Sequence, residues 1–319
     1  MSCRSFKFTV EAVQDGMTVR SFLRHACGIT ARSMTLLKYH EGGITREGRL
    51  LRSHDVLHQD DIVCLSLPVE HNEIIPMKGR LDILYEDDYL LIVNKPPCMP
   101  VHPTKIHQED TLANIVSFYQ QQKEEDYIFR VLNRLDKDTS GCVIIAKDRL
   151  TYTLVRESIC KTYIAVCEGL IDCDGVVDSP IALAHDSKIK RVVSDNGQRA
   201  VTHYHVQYTD GTYTILSLRL ETGRTHQIRC HMSSIGHPLA GDDLYGGSCD
   251  KINRQALHCQ SVMMTHPFTH EQLDIRTPIP VDFSVFFDSA DAYTLFTIDS
   301  FNTSQRPAYQ KDGQMQYCQ

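Results

Sequence analysis

No run of apolar residues in the 319-residue chain approaches the roughly 18 that a membrane-spanning helix requires. The opening stretch, MSCRSFKFTVEAVQDG, lacks the apolar centre of a secretory signal, so the expected location is the cytoplasm. Twelve cysteines are spread along the chain without one C-x-x-C pair, which argues against a zinc ribbon or a dithiol redox motif. They read as small, half-buried hydrophobes kept reduced. An excess of positive charge is also missing. The net charge is −7, so any nucleic-acid binding must rest on local patches. Neither an internal repeat of solenoid length nor a low-complexity block is visible. What remains is ordinary globular usage, 42% hydrophobic and 23% charged, which disfavours disordered, collagen-like and disulfide-scaffold classes. At roughly 100–200 residues per domain, the length suggests about two domains.

Charge read by segment runs against the total. Between Gly16 and Leu65 seven cations (Arg20, Arg24, Arg32, Lys38, Arg46, Arg49, Arg52) face five anions. The pattern there predicts a helix over Val19–Ala26 stopped at Gly28, and a second over Ala31–Tyr39 capped by Thr30 and ended by Gly42-Gly43. A hairpin turning at Arg46-Glu47-Gly48-Arg49 and a strand Ile62–Leu65 complete a small α+β module over residues 1–68. The polar, proline-bracketed stretch 69–79 reads as a linker. Residues 80–287 mix strands (DYLLIVNKP, GCVIIAKD, KTYIAVCEG, RAVTHYHVQYTD, TYTILSLRL) with helices (TLANIVSFYQQQ, DRLTYTLVRES, THQIRCHMSSIG). Asp210-Gly211 between two strands is a hairpin signal, so the class is α+β, a mixed and largely antiparallel sheet flanked by helices, rather than doubly wound. Residues 288–319 are polar and aperiodic and read as a tail.

Two clusters carry chemistry. The first is Asn133-Arg134-Leu135-Asp136-Lys137-Asp138-Thr139-Ser140-Gly141 at a strand entrance, where a plain turn is the bland alternative. A calcium loop starting at Asp136 fails because its twelfth position is Lys147 instead of a bidentate Glu. An aspartic protease needs a second Asp-Thr-Ser-Gly, which only a homodimer would supply. The third reading is a lone carboxylate, Asp136, kept ionised by the flanking Arg134 and Lys137 and used as nucleophile or base. The second cluster, Glu221-Thr222-Gly223-Arg224-Thr225-His226-Gln227-Ile228-Arg229, looks like a strand end, a tight glycine turn and a helix start. Arg224 beside that helix N-terminus is a candidate phosphate seat, and a capped helix with solvated arginines is its competitor. His226 and His231, five apart, do not share a helical face, so no metal is expected there. His203 and His205 read as surface decoration. Tyr163 stands on the strand face opposite Thr162, Ile164 and Val166, which suits either packing or stacking on a base. The proline-rich run Asn94–Pro103 reads as a rigid corner beside a strand end.

Taken in order, VNKPPCMPVHP, NRLDKDTSGCVIIAKD, KTYIAVCEG, ETGRTHQIRCHMSSIGHPLAGDDLYG and RQALHC resemble the RluA-type pseudouridine synthases over most of residues 80–280. The N-terminal module resembles the small RNA-binding domain named after a ribosomal small-subunit protein. The resemblance implies isomerisation of uridine to pseudouridine in structured RNA, ribosomal or transfer, without metal or organic cofactor. It places Asp136 on the catalytic aspartate and Tyr163 on the ring that stacks on the target uracil. It has Arg229 pairing with Asp136, and Arg134 holding the nucleotide out of the stack. Arg224, His226, Arg32 and Lys38 are weaker candidates for RNA contacts. The family usually has His at the position of Asn133 and Gly at that of Cys98. A monomer is expected, since an asymmetric RNA gives no reason for two-fold symmetry. The alternative to an enzyme is an RNA-folding factor of the same fold that has lost catalysis.

Overall fold

The computed structural model describes residues 4–287; the expected tail, 288–319, lies outside them. The described residues fall into two compact units, 4–161 with Ser261–Thr277 and Thr162–Gln260 with residues 278–287.

The first unit opens with β1 (Ser5–Thr9). It continues through α1 (Val19–Ser21), which widens into a π-helical turn over Phe22–Ala26, then α2 (Ala31–Tyr39), β2 (Ile44–Arg46), β3 (Arg49–Leu50) and β4 (Ile62–Ser66). The strands form an antiparallel sheet in the order β1-β4-β2-β3. Thr30 caps α2, its hydroxyl accepting the Ser33 N–H at 3.2 Å. The β2–β3 turn puts Glu47 and Gly48 both at positive φ, 51° and 77°, the conformation a two-residue hairpin with right-handed twist demands. Phe6, Val19, Phe22, Leu23, Leu37, Leu57, Val63, Leu65 and Leu150 form one hydrophobic cluster in this unit.

The chain then runs along α3 (Leu112–Gln122) after β5 (Ile83–Glu86) and β6 (Leu90–Lys95), and passes β7 (Arg130–Val131), β8 (Ser140–Ala146) and α4 (Arg149–Val155). β6 is antiparallel to both β5 and β8, and its register sets Lys95 opposite Gly141. Asp148 caps α4 by accepting the Thr151 N–H and hydroxyl. The stretch expected as a linker is laid along α3. There Asn114 donates to the Ile75 and Gln108 carbonyls, Ser117 donates to the Ile74 carbonyl, and Asn72 bonds Asp126 and Gln120. Asn114 is fully buried and also completes the helix cap, its amide oxygen accepting the Thr111 N–H at 3.1 Å.

The second unit is built on β9 (Cys160–Glu168) from Thr162 onward, followed by β10 (Gly175–Asp178), β11 (Ile181–Leu183), β12 (Arg191–Val193), β13 (Val201–Thr209) and β14 (Tyr213–Leu220). The order is β10-β13-β14-β9, every pair antiparallel, with β11 and β12 as a separate two-stranded hairpin. Asp210-Gly211 turns β13 into β14 as expected; the Asp210 carboxylate accepts the N–H groups of Thr212 and Tyr213, and Gly211 sits at φ +85°. Then come α5 (Gln227–Ser234) and β15 (Leu257–Thr265), whose residues from Ser261 belong to the first unit and pair there with β16 (Gln272–Arg276). Ile164, Val166, Ile215, Phe283 and Phe286 form the main core of the second unit. No described helix is long and apolar enough to cross a membrane.

Replacing Asn114 by Ala is expected to strand two backbone carbonyls and loosen the cap. The cost is about 2–4 kcal/mol, read as a lower urea midpoint with an unchanged m-value.

Candidate active site

In the first unit the strand ladder delivers β6 and β8 side by side, and the loops leaving them are tied together by one side chain. Lys95, 0% exposed, donates its three ammonium protons to the carbonyls of Pro96 (2.8 Å), Met99 (2.8 Å) and Lys137 (2.9 Å). The Lys137 carbonyl accepts the Met99 N–H as well, at 3.1 Å. An ammonium taken out of water needs every proton bonded, and each bond to a charged donor is worth about 1.5–3 kcal/mol. The arrangement therefore clamps the proline-rich run to the residue that follows Asp136.

Asp136 itself is half-buried in the turn between β7 and β8, where its carbonyl accepts the Thr139 N–H at 3.1 Å. Leu135 on one side and Thr139 and Ser140 on the other are buried, so the turn is anchored at both ends. Asn133, buried, works as a mock strand residue: its amide donates to the Cys142 carbonyl at 2.8 Å and accepts the Ile144 N–H at 2.9 Å. Arg134 is exposed; burial, with the charge of Arg134 adding to it, holds the His102 imidazole below its usual range. Cys98, on the clamped loop, is exposed and lies at φ +60°, where glycine is free and a Cβ is strained.

In the second unit Tyr163 lies mid-strand on β9, paired in register with Leu218 and only 6% exposed. Both faces of β9 are buried there, with Thr162, Ile164, Ala165, Val166 and Cys167 all covered, so the face alternation expected at Tyr163 does not separate core from surface.

Arg229, on α5 and buried, makes a bidentate pair with Asp242, Nε to Oδ2 at 2.7 Å and a terminal nitrogen to Oδ1 at 2.8 Å. Asp242 is 1% exposed. The loop that carries it is tightly wound: Gly241 sits at φ +75°, and a Cβ there would stand 2.0 Å from the Arg254 carbonyl oxygen. Such planar two-point pairing fixes the guanidinium's rotamer as well as its charge.

The start of α5 differs in detail from expectation. The left-handed residue is His226, at φ +56°, instead of Gly223. Gln227 is the organiser: its side-chain Oε1 accepts the Arg224 N–H (3.0 Å) and the Thr222 hydroxyl (2.8 Å), and its Nε2 donates to the Val201 carbonyl (2.9 Å). Arg224 is exposed and donates from Nε to the Arg199 carbonyl at 3.0 Å, and His226 is half-buried against Tyr245.

His231 is fully buried between the Thr202 hydroxyl and the Ser179 carbonyl, and burial lowers its pKa, so it is a neutral structural residue. His203 and His205 bond Glu221 and Asp174 at the surface. Among the described residues no group of three or more His, Cys, Asp or Glu is placed to hold a metal ion. Arg32 and Lys38 are exposed on α2 in the first unit.

Sequence reading passed over Lys95, Asn133, Asp242 and Tyr245 as functional groups. Lys95 has a signal in principle, a lysine ending an apolar strand before two prolines. All four stand inside the motif runs quoted above but show their partners only in three dimensions.

Comparison with known proteins gives a consistent result. Residues 89–234 match the RNA pseudouridylate synthase family. An uncharacterized RNA pseudouridine synthase of Bacillus subtilis, YjbO, is 37% identical over 276 residues, covering 84% of this chain and 97% of that one. Ribosomal large subunit pseudouridine synthase D of Pseudomonas aeruginosa is 34% identical over 263 residues, 76% of this chain and 82% of the relative. Among solved structures, human RNA pseudouridylate synthase domain containing 4 matches with a TM-score of 0.52 and 27% identity, over 64% of this chain and 90% of that chain. Human RNA pseudouridylate synthase domain containing 1 shares the fold, with a TM-score of 0.53 at 23% identity, over 68% of this chain and 96% of that chain.

Because Cys98 is exposed and held at positive φ, Cys98→Gly is expected to stabilise the protein by about 0.5–1 kcal/mol, the relief of strain being partly offset by the entropy of a freer unfolded chain. A thermal or urea unfolding series checks the sign; Cys98→Ala, which keeps the Cβ, is expected to leave the stability unchanged.

Proposed function

The chain belongs to the RNA pseudouridine synthase family and is an isomerase of that class, and on that premise we propose that it converts specific uridines of structured RNA to pseudouridine, with Asp136 as the carboxylate the reaction depends on. Ribosomal RNA is the favoured substrate, because a relative covered over most of its length is named for the large ribosomal subunit. Transfer RNA is the second choice. In the reaction the bond from ribose C1′ to uracil N1 breaks, the ring turns, and C1′ bonds to C5. The proton on C5 is lost to solvent, and N1 gains one.

The observation that supports Asp136 most is its setting: a half-exposed carboxylate in a turn whose neighbours on both sides are buried and whose next carbonyl is held by a buried ammonium. A reacting group placed by groups that do not themselves move costs little reorganisation at the moment of reaction. Arg134, exposed two residues earlier, is the side chain to occupy the space of the extruded nucleotide. Unstacking costs a few kcal/mol, and a cation can offset it. Tyr163 serves the target uracil as a stacking ring, and Arg229, its rotamer fixed by Asp242, is a substrate-binding residue. Arg224, His226, Arg32 and Lys38 contribute contacts to the phosphate backbone, and the module that carries Arg32 and Lys38 acts in RNA binding.

The reading is tested with RNA labelled with 5-tritiated uridine in cells lacking the protein. Purified wild type is expected to release tritium at one or a few sites. Asp136→Asn is expected to lose release by at least about a thousandfold while RNA affinity stays within about threefold. An Asp136→Asn protein that turns over at the wild-type rate removes Asp136 from catalysis. A wild type that binds the RNA and releases nothing favours a folding factor over an enzyme.

A further inference from the structure

Tyr245 gathers more partners than packing requires. It closes the short turn Asp243–Tyr245 and is 6% exposed. Its hydroxyl accepts the backbone N–H of Arg191 on β12 at 2.8 Å and stands 3.1 Å from His226 Nδ1, to which the phenol's own proton is left to donate. Its carbonyl accepts the Ser233 hydroxyl from the last turn of α5 at 2.8 Å. The guanidinium of Arg229 lies 5.0 Å from the ring centroid and the ammonium of Lys190 5.7 Å. Its body packs in a small core with Ile181, Ala200 and Cys230. Phenylalanine would fill that volume equally well, so the buried hydroxyl is explained by what it holds. Burial pushes the phenol up to about 12, which keeps its proton in place in neutral solution.

What it holds is the β11–β12 hairpin. Each of its strands is three residues long, and an isolated two-stranded hairpin is marginal in water, so its position depends on what anchors it. Ile189 near the tip is 61% exposed, and Lys188, Lys190 and Arg191 against Asp186 make the tip basic, a charge that suits contact with phosphates. The hydroxyl of Tyr245 ties the loop end of this hairpin, at the first residue of β12, to the start of α5, and its ring carries Arg229.

We propose that Tyr245 is a positioning residue for the reaction, its hydroxyl fixing the β11–β12 hairpin that grips RNA and its ring fixing Arg229. The inference rests on the reading of Arg229 as a substrate-binding residue. Because the two tasks belong to different parts of one side chain, two substitutions separate them. Tyr245→Phe keeps the ring under Arg229 and loses the hydroxyl. Tyr245→Leu loses both.

Steady-state tritium release is measured for wild type and both variants on bulk RNA labelled with 5-tritiated uridine in cells lacking the protein, with the folded fraction of each variant measured by thermal melting at the assay temperature. Tyr245→Phe is expected to raise KM about tenfold with kcat within about twofold, and Tyr245→Leu to add at least about a tenfold fall in kcat. Variants that keep both wild-type constants overturn the proposal. So do variants whose loss follows the unfolded fraction with no split between KM and kcat. A wild type that releases no tritium from this RNA is a separate failure, of the pseudouridine synthase reading itself, and the proposal falls with it.

Discussion

The position of the candidate catalytic carboxylate follows from one buried charge. Lys95 ends β6 with its ammonium out of water, and its three protons go to carbonyls on two loops. A buried ammonium with an unmet proton is costly, so the two loops are held where their carbonyls meet it. The β6–β8 register, Lys95 opposite Gly141, sets where that ammonium stands, and the Lys137 carbonyl follows it. Asp136 is the residue before. Sheet register thus becomes loop geometry through hydrogen bonds, and Asn133, bonded twice to the β8 backbone, fixes the other approach to the same turn.

The second unit solves a similar problem with a different device. Arg229, buried on α5, is held in one rotamer by the two oxygens of Asp242, and a loop wound through Gly241 presents that carboxylate. Around it Gln227, His231 and Tyr245 are each bonded on more than one side, so the polar groups form a connected network with fixed geometry. Networks of this kind contribute more to specificity of arrangement than to net stability. Both units therefore spend buried polar groups on holding cations and carboxylates in place, which fits chemistry performed by positioned side chains.

Much of this was legible in the sequence. Helix Ala31–Tyr39 with its Thr30 cap, the Glu47-Gly48 and Asp210-Gly211 turns, and the helices following Thr111 and Asp148 appear where local signals put them, because caps and left-handed turns are decided within a few residues. Two strands that were not foreseen had only weak local signals. β1 is five residues of Phe-Lys-Phe alternation inside an ordinary-looking start, and β15 is buried on both faces over most of its length, so it shows no alternation. The stretch 69–79 reads as a linker because it is polar and proline-bracketed; its bonds to α3, where Asn114 and Ser117 donate to its carbonyls, had no signal, since both look like ordinary surface residues in a helical pattern. The motif runs pointed to Asp136 and Arg134 in the first unit and to Tyr163 and Arg229 in the second. Lys95 and Asn133, which hold the turn around Asp136, and Asp242 and Tyr245, which hold Arg229, are set by tertiary contacts that spacing does not encode.

The central claim is that this chain isomerises uridine in a structured RNA and that Asp136 is essential to it. Its most direct test is pseudouridine mapping of ribosomal and transfer RNA from cells lacking the protein, complemented in parallel with wild type and with Asp136→Asn. The account predicts at least one site that disappears in the knockout, returns with wild type and stays absent with the Asn variant. Return of that site with Asp136→Asn at wild-type occupancy would contradict it.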